Sequence, residues 1–138
     1  MSDESLSKNT DLNSEYPIGD FFSLENIIEE GQNACRIVIN KNHRNPHGVL
    51  HGGVTFTLID QAMGIAAMRA LQPNQICTTL EIQVRYLNPV FEGEVEAHAS
   101  VIKSGKRIIQ LEARVTSGSE LVAFGTGSFA ILDRPKNL

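Results

Sequence analysis

Hydrophobic and polar residues alternate with a period of two through much of the second half of the chain. Between residues 76 and 87, most apolar side chains fall at every second position, with charged and amide side chains between them. This pattern predicts a strand with one face toward a core and the other toward solvent. Comparable runs, or runs rich in β-branched residues, predict strands over 34–39, 76–87, 90–103, 106–117 and 121–132. Residues 21–29 fit a strand or a short helix, and we favour the strand. Short serine- and glycine-containing turns join the last three strands, which indicates antiparallel hairpins.

A different pattern fills residues 53–71, where apolar residues recur on almost every side of a helix. Arg69 in the closing turn and Pro73 beyond it are typical of a helix end. A helix that is apolar nearly all round is buried on most sides. The simplest packing is an α+β fold, in which a curved antiparallel sheet of five to six strands wraps around one long central helix. Because such a sheet covers only one side of the helix, we expect a second copy of the chain to cover the other.

The length of 138 residues favours one domain. We expect residues 1–18 to form a flexible N-terminal tail and residues 19–138 to form this single domain. The net charge of -4 gives no basic footprint for nucleic acid or for an anionic membrane. The polar N-terminus does not resemble a signal peptide, and the longest apolar run is too short to span a bilayer. The sequence therefore predicts a cytoplasmic protein that binds neither nucleic acid nor membranes.

Residues that commonly bind metals or cofactors do not occur in recognisable patterns. The two cysteines, Cys35 and Cys77, lack CxxC spacing, and we interpret both as free thiols. The histidines form neither an HExxH nor an H-x3-H pattern. No P-loop, GxGxxG loop or GxSxG nucleophile motif occurs. We therefore expect neither a metal nor a cofactor.

Two features near the start of the long helix carry possible chemistry. Gly52 and Gly53 lie where a helix leaves backbone N–H groups unpaired, and glycine allows a ligand to approach that backbone closely. This arrangement suits an oxyanion hole, although such glycines also simply start helices. Asp60 lies within an apolar stretch, where a carboxylate needs a partner or a function. It can attack a carbonyl, activate a water molecule, or hold a structural contact.

The spacing of these two features restricts how they can cooperate. Asp60 is eight residues beyond Gly52, which corresponds to about 12 Å along a helix axis. One substrate carbonyl cannot contact both groups in the same chain. Either Asp60 works without the glycines, or a second copy brings its Asp60 to Gly52. Because the apolar helix already favours a second copy, we expect an active site shared between two subunits.

The motif N-x2-G-x2-H-G-G-x6-D runs from Asn45 to Asp60 and is followed by a long antiparallel meander. Together these features resemble the hotdog-fold acyl-CoA thioesterases, and most closely the PaaI-like branch associated with phenylacetate degradation. The resemblance covers residues 20–132, nearly the whole predicted domain. It implies a dimer, often paired into a tetramer, with two active sites at each dimer interface.

The resemblance also implies roles for individual residues. Gly52 would supply the backbone N–H that polarises the thioester carbonyl, with His51 and Asn45 supporting that side of the site. Asp60 of the partner subunit would be the nucleophile or general base, and Thr79 would help to place the water. On sequence alone, His51 also fits a role in packing. Coenzyme A, as part of the substrate, would lie on the surface, where its phosphates would meet a basic hairpin or a nearby arginine. The residues concerned are Lys103, Ser104, Gly105, Lys106, Arg107 and Arg85.

The resulting hypothesis is hydrolysis of an aryl or a short- to medium-chain acyl-CoA to the free acid and CoA. The same fold also hosts hydratases and dehydratases, for which His51 and Asp60 would form the acid/base pair. A non-catalytic acyl-CoA binding or sensing module is a third possibility. Fold alone does not separate these classes.

Overall fold

The computed structural model describes residues 16–136. It contains two α-helices, α1 (Pro17–Phe21) and α2 (Gly52–Arg69). Short 3₁₀ turns occur at Glu29–Gly31 and Lys41–His43. The six strands are β1 (Glu25–Ile27), β2 (Ala34–Val38), β3 (Gln75–Tyr86), β4 (Glu94–Ser104), β5 (Ile108–Ser117) and β6 (Glu120–Asp133). The predicted tail over residues 1–18 lies outside the described residues as far as residue 15, and α1 begins at Pro17.

All six strands form one antiparallel sheet in the order β1-β2-β4-β5-β6-β3. The sheet wraps one side of α2, so the predicted α+β architecture is confirmed. The hairpins β4–β5 and β5–β6 follow the predicted turns. Strand β3 does not join the meander through β4, its neighbour in sequence, but pairs with β6. It therefore forms one edge of the sheet.

The strand predicted over residues 21–29 is wrong over most of its length. Pro17 begins the short helix α1, which ends at Phe21, and only Glu25–Ile27 pairs with β2. Proline at the first helical position is pre-set for a helix because its φ is fixed. The two-residue alternation is also too short here to outweigh this signal. The other predicted strands and the long helix start and end within a few residues of their predicted limits.

The buried face of α2 packs closely against the sheet. Leu58, Ile59, Ala62 and Met63 have no exposed surface. Opposite them, a Cβ added at Gly127 of β6 would lie 2.9 Å from the Sδ of Met63. Glycine in β6 therefore provides the space that a bulky helix residue fills. This packing fixes the rotation of α2 about its axis, and so determines where Asp60 emerges.

None of the helices formed by residues 16–136 combines the length and the hydropathy that a bilayer span requires.

Candidate active site

The first turn of α2 is capped by His51. Its Nδ1 accepts a hydrogen bond of 2.8 Å from the N–H of Gly53. Its carbonyl accepts from the N–H groups of Val54, at 2.9 Å, and Thr55, at 3.4 Å. These bonds satisfy three of the N–H groups that a helix start leaves unpaired. Among residues 16–136, no hydrogen bond uses the N–H of Gly52. The cap therefore leaves one donor for a ligand.

The imidazole of His51 takes a defined form through this cap. Because Nδ1 accepts from Gly53, the ring proton of the neutral imidazole is on Nε2. The side chain is exposed, and Nε2 can therefore donate to a ligand at the helix start. A Cβ at Gly53 would lie only 3.0 Å from Nδ1. Glycine at this position thus makes room for the capping ring.

The loop before the helix is held by Asn45 and His43. The Oδ1 of Asn45 accepts from the backbone N–H groups of His47, at 2.9 Å, and Val49, at 3.2 Å. The buried His43 accepts at its carbonyl from the N–H of His51, at 2.8 Å. Asn45 thus shapes the loop that delivers His51, and its amide oxygen is already used within that loop.

A cavity of about 570 Å³ opens beside the start of α2. Its walls are mostly apolar and include both glycines of the first helical turn together with Tyr86, the last residue of β3. The hydroxyl of Tyr86 donates a hydrogen bond of 2.7 Å to the carbonyl of Gly52. The lining residues are Val49, Leu50, Gly52, Gly53, Thr55, Tyr86, Leu87, Asn88, Pro89, Val90 and Val122. We call this region, together with the N–H of Gly52, the glycine half-site.

Asp60 lies further along α2 and contacts the sheet through Thr79. The Thr79 hydroxyl donates to Oδ1 of Asp60 at 2.7 Å. Asp60 is partly buried and Thr79 is exposed. Within residues 16–136, the Asp60 carboxylate has no other hydrogen bond, so Oδ2 remains available to a ligand or a water molecule. We call this pair the acid half-site.

A tyrosine that the sequence did not single out lies close enough to sense the charge of Asp60. Burial, the negative charge of Asp60 and the nearby Cys35 together raise the pKa of the Tyr16 phenol to about 12, with burial as the largest cause. The phenol is therefore neutral at neutral pH. Tyr16 lies just before α1, where neither periodicity nor a motif marked it.

The two half-sites are separate within one chain. Gly52 lines the cavity at the helix start, whereas Asp60 is absent from its walls. Both lie on the same uninterrupted helix, so the rise of about 1.5 Å per residue separates them by about 12 Å. A single carbonyl therefore reaches only one half-site of a given chain.

The basic hairpin between β4 and β5 lies on the side of the acid half-site. Lys106 and Arg107 line a second cleft of about 590 Å³ together with Leu80, which follows Thr79 on β3. Lys103, Ser104 and Gly105 are exposed in the same hairpin, and Arg85 is exposed further along β3. The cationic groups at the tip therefore share a cleft with the strand that holds Asp60.

The described part of the chain, residues 16–136, contains no group of three or more histidine, cysteine or acidic side chains arranged to hold a metal ion. Within residues 16–136, Cys35 and Cys77 form no disulfide, and Cys35 is buried. Burial raises the pKa of the Cys35 thiol well above its usual value, so this group stays protonated and packs as an apolar side chain.

The chain is similar to known proteins in both sequence and structure. Residues 47–124 match the model of the thioesterase superfamily. The 1,4-dihydroxy-2-naphthoyl-CoA hydrolase of Listeria monocytogenes is 31% identical over 93 residues, which cover 67% of this chain and 76% of the relative. The structure of BH2602 from Bacillus halodurans with CoA has a TM-score of 0.80 and 32% identity, covering 94% of this chain and 84% of that chain.

A mutant of the phenylacetic acid degradation protein PaaI from Thermus thermophilus shares the fold. Its TM-score is 0.75 at 24% identity, covering 83% of this chain and 98% of that chain.

Proposed function

The chain belongs to the thioesterase superfamily, and on that basis we propose that it hydrolyses acyl-CoA thioesters to a free acid and CoA. The observation that carries the proposal is that Gly52, at a helix N-terminus, lines a mostly apolar cavity while its N–H has no hydrogen-bond partner within residues 16–136. A donor held at such a position stabilises the negative charge that develops on a carbonyl oxygen. His51 lies beside it, with the proton of its neutral imidazole on Nε2, as a second donor to the same oxygen.

The acid half-site supplies the other group that this reaction needs. The Thr79 hydroxyl occupies Oδ1 of Asp60, which leaves Oδ2 to act. In the nucleophilic route, Oδ2 attacks the carbonyl carbon, the C–S bond breaks, and CoA leaves as a thiolate that takes up a proton. Water then hydrolyses the resulting anhydride. In the general-base route, Oδ2 takes a proton from water as that water attacks the same carbon.

We propose that each active site combines the glycine half-site of one subunit with the acid half-site of another. This follows from the separation of about 12 Å along the helix between the two groups in one chain. The geometry of β3 favours such pairing, because within residues 16–136 this strand has a neighbour on one side only. Leu80 and Tyr86 on this edge strand are each 54% exposed. An unprotected apolar edge is a ready surface for a second copy. The assembly would be a homodimer, or a homotetramer of two such dimers.

The basic hairpin would hold the phosphates of CoA. Lys106 and Arg107 lie in the cleft that includes Leu80, next to the Thr79–Asp60 pair on the same strand. Lys103, Ser104, Gly105 and Arg85 would complete this surface. Charge-assisted hydrogen bonds to phosphate explain why cationic side chains suit this role. CoA enters only as part of the substrate, and the proposed chemistry requires no other cofactor.

The relatives support both the CoA portion and an aryl acyl group. The structure of BH2602 was solved with CoA, and the Listeria hydrolase is named for an aromatic acyl-CoA. The mostly apolar cavity at Gly52 suits an aryl or a short- to medium-chain acyl group. We further propose a cytoplasmic location, which agrees with the lack of a disulfide between Cys35 and Cys77.

Thiol release from a panel of aryl- and alkanoyl-CoAs tests this proposal. We expect turnover of at least one substrate, and we expect Asp60→Asn to lower kcat by roughly 10²- to 10⁴-fold, because the variant can neither attack nor accept a proton. Asp20→Asn, at an exposed position in α1, is the matched control and should keep wild-type activity.

Other outcomes distinguish the alternatives. If Asp60→Asn kept wild-type kcat on a good substrate, the assignment of Asp60 would be wrong. Hydration of an enoyl-CoA without CoA release would instead identify a hydratase. Tight binding of acyl-CoA without any turnover would identify a binding module.

A further inference from the structure

Tyr86 contacts Gly52, the residue whose N–H is the proposed oxyanion donor, through the carbonyl of that residue. Its hydroxyl donates to the carbonyl of Gly52 at 2.7 Å. A Cβ built on Gly52 would lie 3.3 Å from the Cζ and the hydroxyl oxygen of Tyr86. The phenol ring therefore packs against the α-carbon of Gly52, in a space that a larger residue at this position would fill.

This contact matters because Gly52, the first residue of α2, has no side chain to restrict its backbone angles. Gly52 and Gly53 lack side chains, and glycine adopts a wider range of φ and ψ angles than other residues. The direction of the Gly52 N–H depends on the ψ angle of His51 and the φ angle of Gly52. The cap at His51 holds Gly53, Val54 and Thr55 but gives the N–H of Gly52 no partner among residues 16–136. The peptide that carries this N–H is held through the carbonyl of His51, which accepts from Val54 and Thr55. The Tyr86 hydroxyl holds the next peptide through the carbonyl of Gly52. The two contacts together set the backbone angles at Gly52 and so the direction of its N–H.

The Tyr86 hydroxyl remains a hydrogen-bond donor over a wide range of pH. Burial raises the pKa of the Tyr86 phenol above its ordinary value, so the proton remains on the oxygen at neutral and moderately alkaline pH. Tyr86 also lies on the strand that carries Thr79, which holds Asp60. One strand thereby contacts α2 at both half-sites.

We propose that Tyr86 is a positioning residue: its hydroxyl, through the carbonyl of Gly52, aims the Gly52 N–H at the thioester oxygen. This inference rests on the proposed thioesterase function. It assigns Tyr86 no contact with the reacting atoms. Its effect should therefore appear in the chemical step, where alignment of the donor counts, rather than in substrate binding.

The variant Tyr86→Phe removes the hydroxyl and keeps the ring. We expect kcat to fall about tenfold while KM changes less than about twofold, since misalignment weakens transition-state stabilisation more than substrate binding. Ser117→Ala is the matched control. It removes one exposed hydroxyl that donates to a backbone carbonyl, that of Glu94, at 3.1 Å, and it should leave both constants unchanged.

A double-mutant cycle shows whether Tyr86 acts through Gly52. Gly52→Pro deletes the N–H while proline remains favourable at the first position of a helix. Gly52→Ala adds a side chain at the same place but keeps the N–H. If Tyr86 works by aiming that N–H, Tyr86→Phe should lower kcat in the Gly52→Ala background and cause no further loss in the Gly52→Pro background. Equal losses in both backgrounds would overturn the inference.

A measurement independent of activity separates this inference from the proposed function. Backbone ¹⁵N relaxation reports the mobility of the Gly52 and Gly53 amides, with order parameters of about 0.85 for rigid backbone. We expect these two values to fall in Tyr86→Phe and to remain unchanged in Ser117→Ala. If Asp60→Asn is inactive but Tyr86→Phe retains wild-type kcat and order parameters, only the role of Tyr86 is refuted. If the wild-type protein hydrolyses no thioester that is tested, the proposed function fails. Order parameters that are unchanged in Tyr86→Phe would then still refute the role of Tyr86. Order parameters that fall in Tyr86→Phe would show that Tyr86 holds Gly52 in place.

Discussion

At the scale of single residues, the site depends on which polar atoms the fold leaves unpaired. His51 satisfies the N–H groups of Gly53, Val54 and Thr55, and within residues 16–136 the N–H of Gly52 has no partner. Thr79 engages one oxygen of Asp60 and leaves the other. A buried helix start without caps would be costly, so an N–H that stays unpaired while its neighbours are capped is the feature that favours ligand binding.

The tyrosines provide a prediction about the electrostatics of the acid half-site. The chain contains two tyrosines and no tryptophan, so tyrosinate absorbance reports both directly. In Tyr86→Phe, the remaining tyrosine is Tyr16, which should ionise near pH 12 because burial and then the charge of Asp60 oppose loss of its proton. Adding Asp60→Asn should lower this midpoint, but it should stay above 10, because burial is the larger cause.

The raised pKa of Tyr16 also determines how the stability of the folded protein changes with pH. The folded state holds the Tyr16 proton more tightly than the unfolded chain, whose tyrosine pKa is about 10. The stabilisation is therefore complete below pH 10 and is lost as pH rises toward about 12. Asp20→Asn serves as the charge control on α1. An Asp60→Asn midpoint equal to that of Asp20→Asn would contradict the placement of Tyr16 near Asp60.

The sequence singles out residues that break a pattern and misses those that follow one. Asp60 is an acid in an apolar helix, and Gly52 is part of a glycine pair at a helix start, so both are visible as anomalies. Tyr86 is the last member of a regular alternation, and its only sequence signal is its position at the end of that strand. Tyr16 lies outside any periodic segment. Their importance arises from contacts between distant parts of the chain, which local patterns do not encode.

At the scale of secondary structure, the basic hairpin is expected to act on binding and not on chemistry. Lys106 and Arg107 are exposed, and an exposed ion pair contributes roughly 0.2–1 kcal/mol. Replacing both by alanine should therefore raise KM for acyl-CoA by about two- to tenfold, with little change in kcat. The increase should shrink at high ionic strength, because salt screens exposed charges.

A truncated thioester provides the control for the hairpin. An acyl-pantetheine keeps the acyl group and the reacting carbonyl but lacks the nucleotide phosphates. Its KM should be the same for the wild-type protein and for the double alanine variant. A KM that rises equally for both substrates would mean that the hairpin supports the fold of the site and does not bind phosphates.

Elements were predictable where their pattern is long. The helix and the four long strands carry ten or more patterned residues each, and they occur close to their predicted limits. The segment 21–29 is short, and the helix-starting Pro17 and the turn after Phe21 decide its structure. The partner of β3 was also not predictable, because the two-residue period fixes which face is buried but not which strand lies alongside.

At the scale of the whole molecule, α2 packs against the sheet to form the core and also contains Gly52 and Asp60, one residue of each half-site. Their separation was predictable from the helical rise alone, since α2 is uninterrupted from Gly52 to Arg69. In the proposed assembly, a second copy of the chain completes each half-site. In a two-fold dimer, the approach of one subunit's Asp60 to the other's Gly52 is necessarily repeated at a second, equivalent site.

The central claim is that the two half-sites of one active site come from different subunits, and mixed dimers test it most directly. Gly52→Pro and Asp60→Asn should each retain no more than about 1% of wild-type activity alone. After subunit exchange at equal amounts, about half of the dimers contain one subunit of each kind, and one of their two sites is intact. The mixture should therefore regain about one quarter of wild-type thiol release. If exchange is verified and activity stays at the level of the separate variants, the shared site is contradicted.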